Sequence, residues 1–126
     1  MGAANFITGG TGATMREAFS NATQQAAHEY GHGGYTGTIA EKNGVVDLGK
    51  LPEGLTPYQF QDLLFQYEES FDEDESWRTK RDVYRYDGPH ADLVKRAFKT
   101  WDDKWGNAIG FELGNGKYVF MGMASE

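Results

Sequence analysis

Glycine interrupts this chain so often that no element can run long. Gly9, Gly10 and Gly12, then Gly31, Gly33 and Gly34, then Asn43-Gly44, Gly88 and Gly114-Asn115-Gly116 divide the 126 residues into short segments. Each cluster favours a turn, because glycine, and asparagine to a lesser degree, accepts the positive φ that other residues avoid. The segments between them are amphipathic, some with a helical period and some strand-like. The pattern predicts a single α+β domain over residues 1–126. In it, three amphipathic helices pack on a small antiparallel sheet made from two β-hairpins.

Asn5–Thr8 reads as a short strand. In the first helix Met15, Ala18, Phe19, Ala22, Ala26 and Tyr30 recur at three- and four-residue steps, which gathers them on one stripe. Thr11 or Thr14 is its cap, and Gly31, Gly33 and Gly34 end it. Tyr35–Lys42 and Val45–Leu48 flank Asn43-Gly44, the strongest short hairpin signal in the chain. Thr56-Pro57-Tyr58-Gln59 announces a second helix, with a capping threonine, proline in the first turn and a glutamine that can complete the capping box. Its stripe is Phe60, Leu63, Leu64, Tyr67 and Phe71. It runs into the acidic stretch Glu68–Glu75, and acids at a helix C-terminus oppose the helix dipole. A mobile acidic loop is therefore expected there. Trp77–Tyr86 reads as an extended strand or a loop. The third helix starts after Asp87-Gly88-Pro89 and carries Ala91, Val94, Phe98, Trp101 and Trp105, both tryptophans in the core and Gly106 as C-cap. Ala108–Leu113 and Lys117–Met121 around Gly114-Asn115-Gly116 form the second hairpin.

Aromatic residues make up 14% of the chain, and each buries a large area, so a few suffice for a core. The chain has no cysteine. That excludes disulfides and thiolate-held metals and fits a reducing compartment. No apolar run is long enough to span a bilayer, and the N-terminus lacks the character of a signal peptide. The expected location is the cytoplasm. The net charge of −7 argues against broad nucleic-acid binding, which needs a basic face. It suits a basic protein partner, or a small anionic ligand held by a local basic pocket.

Two strings carry recognisable chemistry. Phe6-Ile7-Thr8-Gly9-Gly10-Thr11-Gly12-Ala13 resembles the opening of extended short-chain dehydrogenases and epimerases. In such openings glycines let the backbone approach a phosphate, and the helix N-terminus adds N–H groups and dipole. The third glycine of that family would fall at Met15, and no acidic ribose ligand follows at the usual interval. The dehydrogenase reading is set aside. A phosphate- or nucleotide-binding loop of another kind is the functional expectation, with Gly9, Gly10, Thr11, Gly12, Thr14 and Arg16 as its residues. Against it stands a glycine turn that merely starts a helix.

His28-Glu29-Tyr30-Gly31-His32 resembles the zinc-binding string of zincin metallopeptidases. The resemblance implies His28 and His32 as ligands and Glu29 as general base toward a metal-bound water. The metzincin continuation is missing, since Tyr35 and Thr38 stand where glycine and histidine belong. A polar helix end is the plainer alternative.

Arg78, Lys80, Arg81 and Arg85 alternate with Trp77, Tyr84 and Tyr86, and could hold an anionic or nucleotide ligand by charge and stacking. Pairing with the neighbouring acids competes with that role. Tyr35, beyond the far end of the first helix, joins these residues as a candidate contact. The stretch AFSNATQQAAHEYGHGGYTGTIAEK and the ending GKYVFMGMAS are similar to small proteins of bacteriophages and other mobile elements. The resemblance implies an inhibitor of host defence, acting by binding a host protein or sequestering a nucleotide signal. The leading expectation is thus a small non-enzymatic binding protein without a cofactor, with self-association left open. A zinc hydrolase built on His28 and His32, and a ligand-free structural or interaction protein, are the alternatives.

Overall fold

The computed structural model describes residues 2–30 and 36–125. In chain order they form β1 (Ala3–Thr11), α1 (Met15–Tyr30), a 3-10 turn (Ile39–Glu41), β2 (Val45–Lys50), α2 (Pro57–Glu69), α3 (Glu73–Thr79), α4 (Ala91–Trp101), β3 (Ala108–Gly114) and β4 (Lys117–Ser125). The four strands make one sheet in the order β1-β4-β3-β2. β1 and β3 each pair antiparallel with β4, whereas β2 pairs parallel with β3.

The α+β class holds, but the purely antiparallel sheet and the count of three helices do not. The described residues contain four α-helices and a mixed sheet. The first expected hairpin is absent. Thr38 caps a 3-10 turn through its hydroxyl, which accepts from the Ala40 N–H at 3.2 Å. Thr36 donates its hydroxyl to Glu41 Oε2 at 2.6 Å. Local side-chain bonds of this kind draw the backbone out of a ladder, and Ile39 anchors the turn by full burial. Asn43-Gly44 leads into a parallel pairing: the Gly44 carbonyl accepts from the Ala108 N–H at 3.0 Å, one step before Val45 meets Ala108. A parallel pair needs a long crossover, which α2, α3 and α4 supply.

The expected acidic loop is partly a helix. Asp72 caps α3 by accepting from the Glu75 N–H at 2.9 Å, and Glu73, Asp74 and Glu75 fill its first turn. These acids stand at the start of a helix, where the dipole favours them, rather than at the end of the preceding one. Trp77 belongs to α3. The segment from Lys80 to Tyr86 is a strap held by the Phe71–Tyr84 bridge, by the Val83 N–H donating to the Ser76 hydroxyl at 2.8 Å, and by Arg85 pairing with Asp72. Trp105 also departs from expectation. Helix α4 ends at Trp101, the Asp103 carboxylate accepts from the Trp105 N–H at 2.9 Å, and the indole is 62% exposed. The glycines read as ending α1 lie outside the described residues.

Elsewhere local signals hold. Thr56 and Gln59 form a reciprocal capping box at α2 with Pro57 behind the cap. Asn115, at φ 55°, turns the β3–β4 hairpin. Side chains alternate across the sheet. Ile7, Ile109, Phe111, Val119 and Met121 face α2 and α4. Phe6, Ala108, Phe120 and Ala124 face α1 and the 3-10 turn. The two inner strands are therefore covered on both sides, and the outer two are edges.

Candidate functional site

The glycine-rich junction lies between β1 and α1, and its geometry begins with close packing. A methyl group at Gly10 would stand 2.7 Å from the Ala18 carbonyl oxygen, and one at Gly12 2.7 Å from the Ala18 nitrogen. Glycine there lets the strand touch the helix backbone. The start of α1 is occupied by its own side chains. The Thr14 hydroxyl accepts from the Glu17 N–H at 3.1 Å, and Glu17 Oε1 accepts from the Ala13 N–H at 3.3 Å. Arg16 is exposed beside them. An anion arriving at this terminus meets the Glu17 carboxylate.

What the junction does form is one wall of a groove. The Gly12 N–H donates to the Gly116 carbonyl at 3.0 Å, continuing the β1–β4 register by one pair. In an antiparallel ladder such hydrogen-bonded pairs alternate. Even-numbered residues of β1 therefore direct their backbone groups at β4. Ala3, Asn5, Ile7, Gly9 and Thr11 direct theirs away from the sheet. The Thr11 carbonyl accepts from Asn21 Nδ2 at 2.9 Å. No other strand among the described residues pairs with this edge.

Alongside the edge runs the outer side of α1. Two cavities of about 340 Å³ each share Gly9, Ala22 and Gln25 and form a continuous groove. Lys117, Tyr118 and Leu113 line the end at Thr11, and Glu29, Thr38 and Ile39 the other. A methyl group at Gly9 would project to the side that Ile7 faces, away from α1, and would meet only the Tyr118 carbonyl, at 3.9 Å. Charged side chains line the groove only at its two ends, Lys117 at one and Glu29 at the other.

A second groove lies on the far face, between the 80–86 strap and α4. It comprises cavities of 410 and 480 Å³ that share Tyr67, Asp82, Tyr84 and Lys95. Its aromatic wall is continuous. Tyr67 stacks on Tyr84 with centroids 4.5 Å apart, and Phe98 lies 4.8 Å from Tyr67 and 5.3 Å from Tyr84. Burial raises all three phenols, Tyr67, Tyr84 and Tyr86, above their ordinary pKa, and for Tyr84 the nearby Asp82 and Asp102 add to it. Arg81, Lys95 and Lys99 line the groove together with Asp82, Asp92 and Asp102. Burial also raises the Asp102 carboxyl, aided by Asp103.

The expected basic segment divides along these lines. Arg81 lines the second groove. Arg78 pairs with Glu75 at 3.4 Å, and Arg85 with Asp72 at 3.2 Å. Lys80 is the left-handed C-cap of α3. Gly9, Gly10 and Thr11 line the first groove, far along the fold from that strap. His28 is exposed near the end of α1, and Glu29 lines the first groove. His32 and Tyr35 lie outside the described residues, and among the described ones no three His, Asp or Glu side chains gather as a metal site. Sequence reasoning missed Asn21, Gln25 and Lys117 in the first groove and Lys95 and Lys99 in the second. The four-residue spacing of Asn21 and Gln25 was a visible signal that both share one helix side.

No helix among the described residues is long and apolar enough to cross a membrane. Compared with family models, curated proteins and solved structures, the chain matches none.

Proposed function

We propose that this chain is a non-enzymatic binding protein that receives an extended polypeptide segment along β1. The observation that carries this reading is the outward row of backbone groups at Asn5, Ile7 and Gly9 beside the groove under α1. Such an edge is a template for another strand: main-chain bonds supply affinity, and the groove sorts alternate side chains. The absence of cysteine fits an association in a reducing cytoplasm.

The test is a peptide-display selection on the purified protein, followed by affinity measurement of selected peptides on wild type and Gly9→Pro. Proline removes an outward N–H and sets its ring in the path of an incoming strand, while the β4 side stays paired. Binding should weaken roughly tenfold or more, the order expected for losing a ladder bond and gaining a clash. Selected peptides that bind both proteins equally would sink the reading.

A second reading rests on Arg81, Lys95 and Lys99 beside the tyrosine wall, a setting for a small anionic or nucleotide ligand. A thermal-shift screen with nucleotides tests it, since a ligand bound only by the native state raises Tm. A shift that survives Lys95→Glu would rule this groove out.

A further inference from the structure

We infer that the occupant of the β1 edge is a second copy of this chain, the two β1 strands pairing antiparallel about a two-fold axis at Ile7. This rests on the reading of β1 as a strand-accepting edge and names its partner.

The backbone phase allows it. Residues that direct N–H and C=O outward are odd-numbered, so a copy related by a two-fold axis must set odd residues opposite odd ones. Centring on Ile7 does this within Ala3–Thr11, with Asn5, Ile7 and Gly9 as the central residues and the Thr11 carbonyl at the end already accepting from Asn21 Nδ2. Ile7 then faces its counterpart, Asn5 faces Gly9 of the other copy, and Ala3 faces Thr11. Larger residues meet smaller ones: Asn5 lies over a glycine, and on the α1 side Phe6 lies beside Thr8 and Ala4 beside Gly10. Ile7, half-buried against the α2–α4 core, gains cover from its symmetry mate. No proline, charge or bulge interrupts the strand, and these are the devices that keep an edge from pairing.

Charge favours this face over any other. Two copies of a chain with net charge −7 repel, yet β1 carries no charged residue. The adjacent exposed side chains of α1 include the amides Asn21, Gln24 and Gln25. A two-fold axis perpendicular to the sheet sets both α1 helices on the same side, where these amides meet across the groove. The acidic helix α3 and the α2 terminus belong to the face of the sheet opposite α1. The opposite edge offers no equivalent: β2 carries Asp47 and Lys50, places Gly49 at φ 82°, and breaks register between Asp47 and Lys50.

Sedimentation over a concentration series tests the inference. Wild type should sediment at about twice the chain mass of 14.0 kDa. Gly9→Pro removes two outward N–H groups per pair and should weaken association roughly tenfold or more. Far-ultraviolet circular dichroism checks that this variant remains folded. Because the chain lacks cysteine, register can be read directly. Under mild oxidation Ile7→Cys should form a disulfide-linked dimer, since opposed Cα atoms in such a pair lie about 5.5 Å apart, within disulfide reach. Asn5→Cys should not, because its counterpart sits two pairs away on either side of the axis. A monomer at every concentration overturns the self-pairing. If selected peptides still bind wild type in a Gly9-dependent way, the strand-accepting edge survives that failure. A dimer indifferent to Gly9→Pro, or linked equally well through Asn5→Cys, overturns the pairing at β1.

Discussion

The two faces of the sheet are built from different materials. On one, Ala18, Ala22 and Ala26 let the α1 backbone close almost onto Gly10, and Phe6, Phe19 and Phe120 fill the space around that close approach. On the other, α2 and α4 stand off the sheet on rings. Phe60 meets Phe111 edge-on at 4.9 Å, and Trp101 is fully buried near Phe98. Where small residues let backbones approach closely, as at Gly10 and Ala18, the packing cannot accept added volume. A layer made of rings derives its order from filled volume and cannot lose any. The faces should therefore fail under opposite kinds of substitution.

The largest effect is expected on the ring side. Trp101→Ala empties the middle of the α4 packing and should cost about 3–5 kcal/mol, read by denaturant unfolding. A loss below about 1 kcal/mol would mean the site collapses freely and the ring layer is not as rigid as its packing implies. The next effect belongs to the small-residue side. Gly10→Ala sets a methyl group against the Ala18 carbonyl and should cost about 1–3 kcal/mol, whereas Gly9→Ala, one position along, should be close to neutral. If the two alanines cost the same, close approach is not what selects glycine at position 10.

The smallest effect separates the faces by pH. On the ring side, burial raises the Tyr67, Tyr84 and Tyr86 phenols. Above about pH 10 the unfolded chain loses these protons first. The native state then holds more protons, and stability falls as pH rises further. On the α1 side, Lys42 is buried, and its Nζ donates to the Asp103 carbonyl at 3.0 Å. Burial lowers its pKa, with Asp103 opposing. Between that lowered value and the ordinary lysine range the unfolded chain holds more protons, so Lys42 contributes a rise in stability with pH. Melting curves from pH 8 to 11 should show Lys42→Met removing part of the rise and Tyr84→Phe part of the later fall. Identical pH slopes in all three proteins would contradict both assignments.

What the sequence made legible follows the range of each interaction. The α4 stripe, the Thr56–Gln59 box and the Asn115 turn are set within a few residues, and the local pattern sufficed to read them. The partner of β2 was not legible, because Val45 pairs with Ala108 across three intervening helices. Asn43-Gly44 misled for the same reason: the dipeptide permits a hairpin, and only the distant strand β3 decides against it. The acids after Tyr67 read as the fraying end of one helix, whereas Ser70 and Asp72 divide them between two elements. Gly9, Gly10 and Thr11 read locally as part of a phosphate- or nucleotide-binding loop. Their position on an outer strand depends on the sheet order, which no local pattern carries.

The register break in β2 limits how copies can add to the sheet. A sheet with two receptive edges can add copies head to tail without limit, and the product is a fibre. Here the register break at Asp47 and the left-handed Gly49 spoil one edge and leave the other intact. Growth that begins at β1 has nowhere to continue. A few irregular residues on the far side of the molecule thus make any association by strand addition finite and keep a chain with a bare edge out of the aggregate.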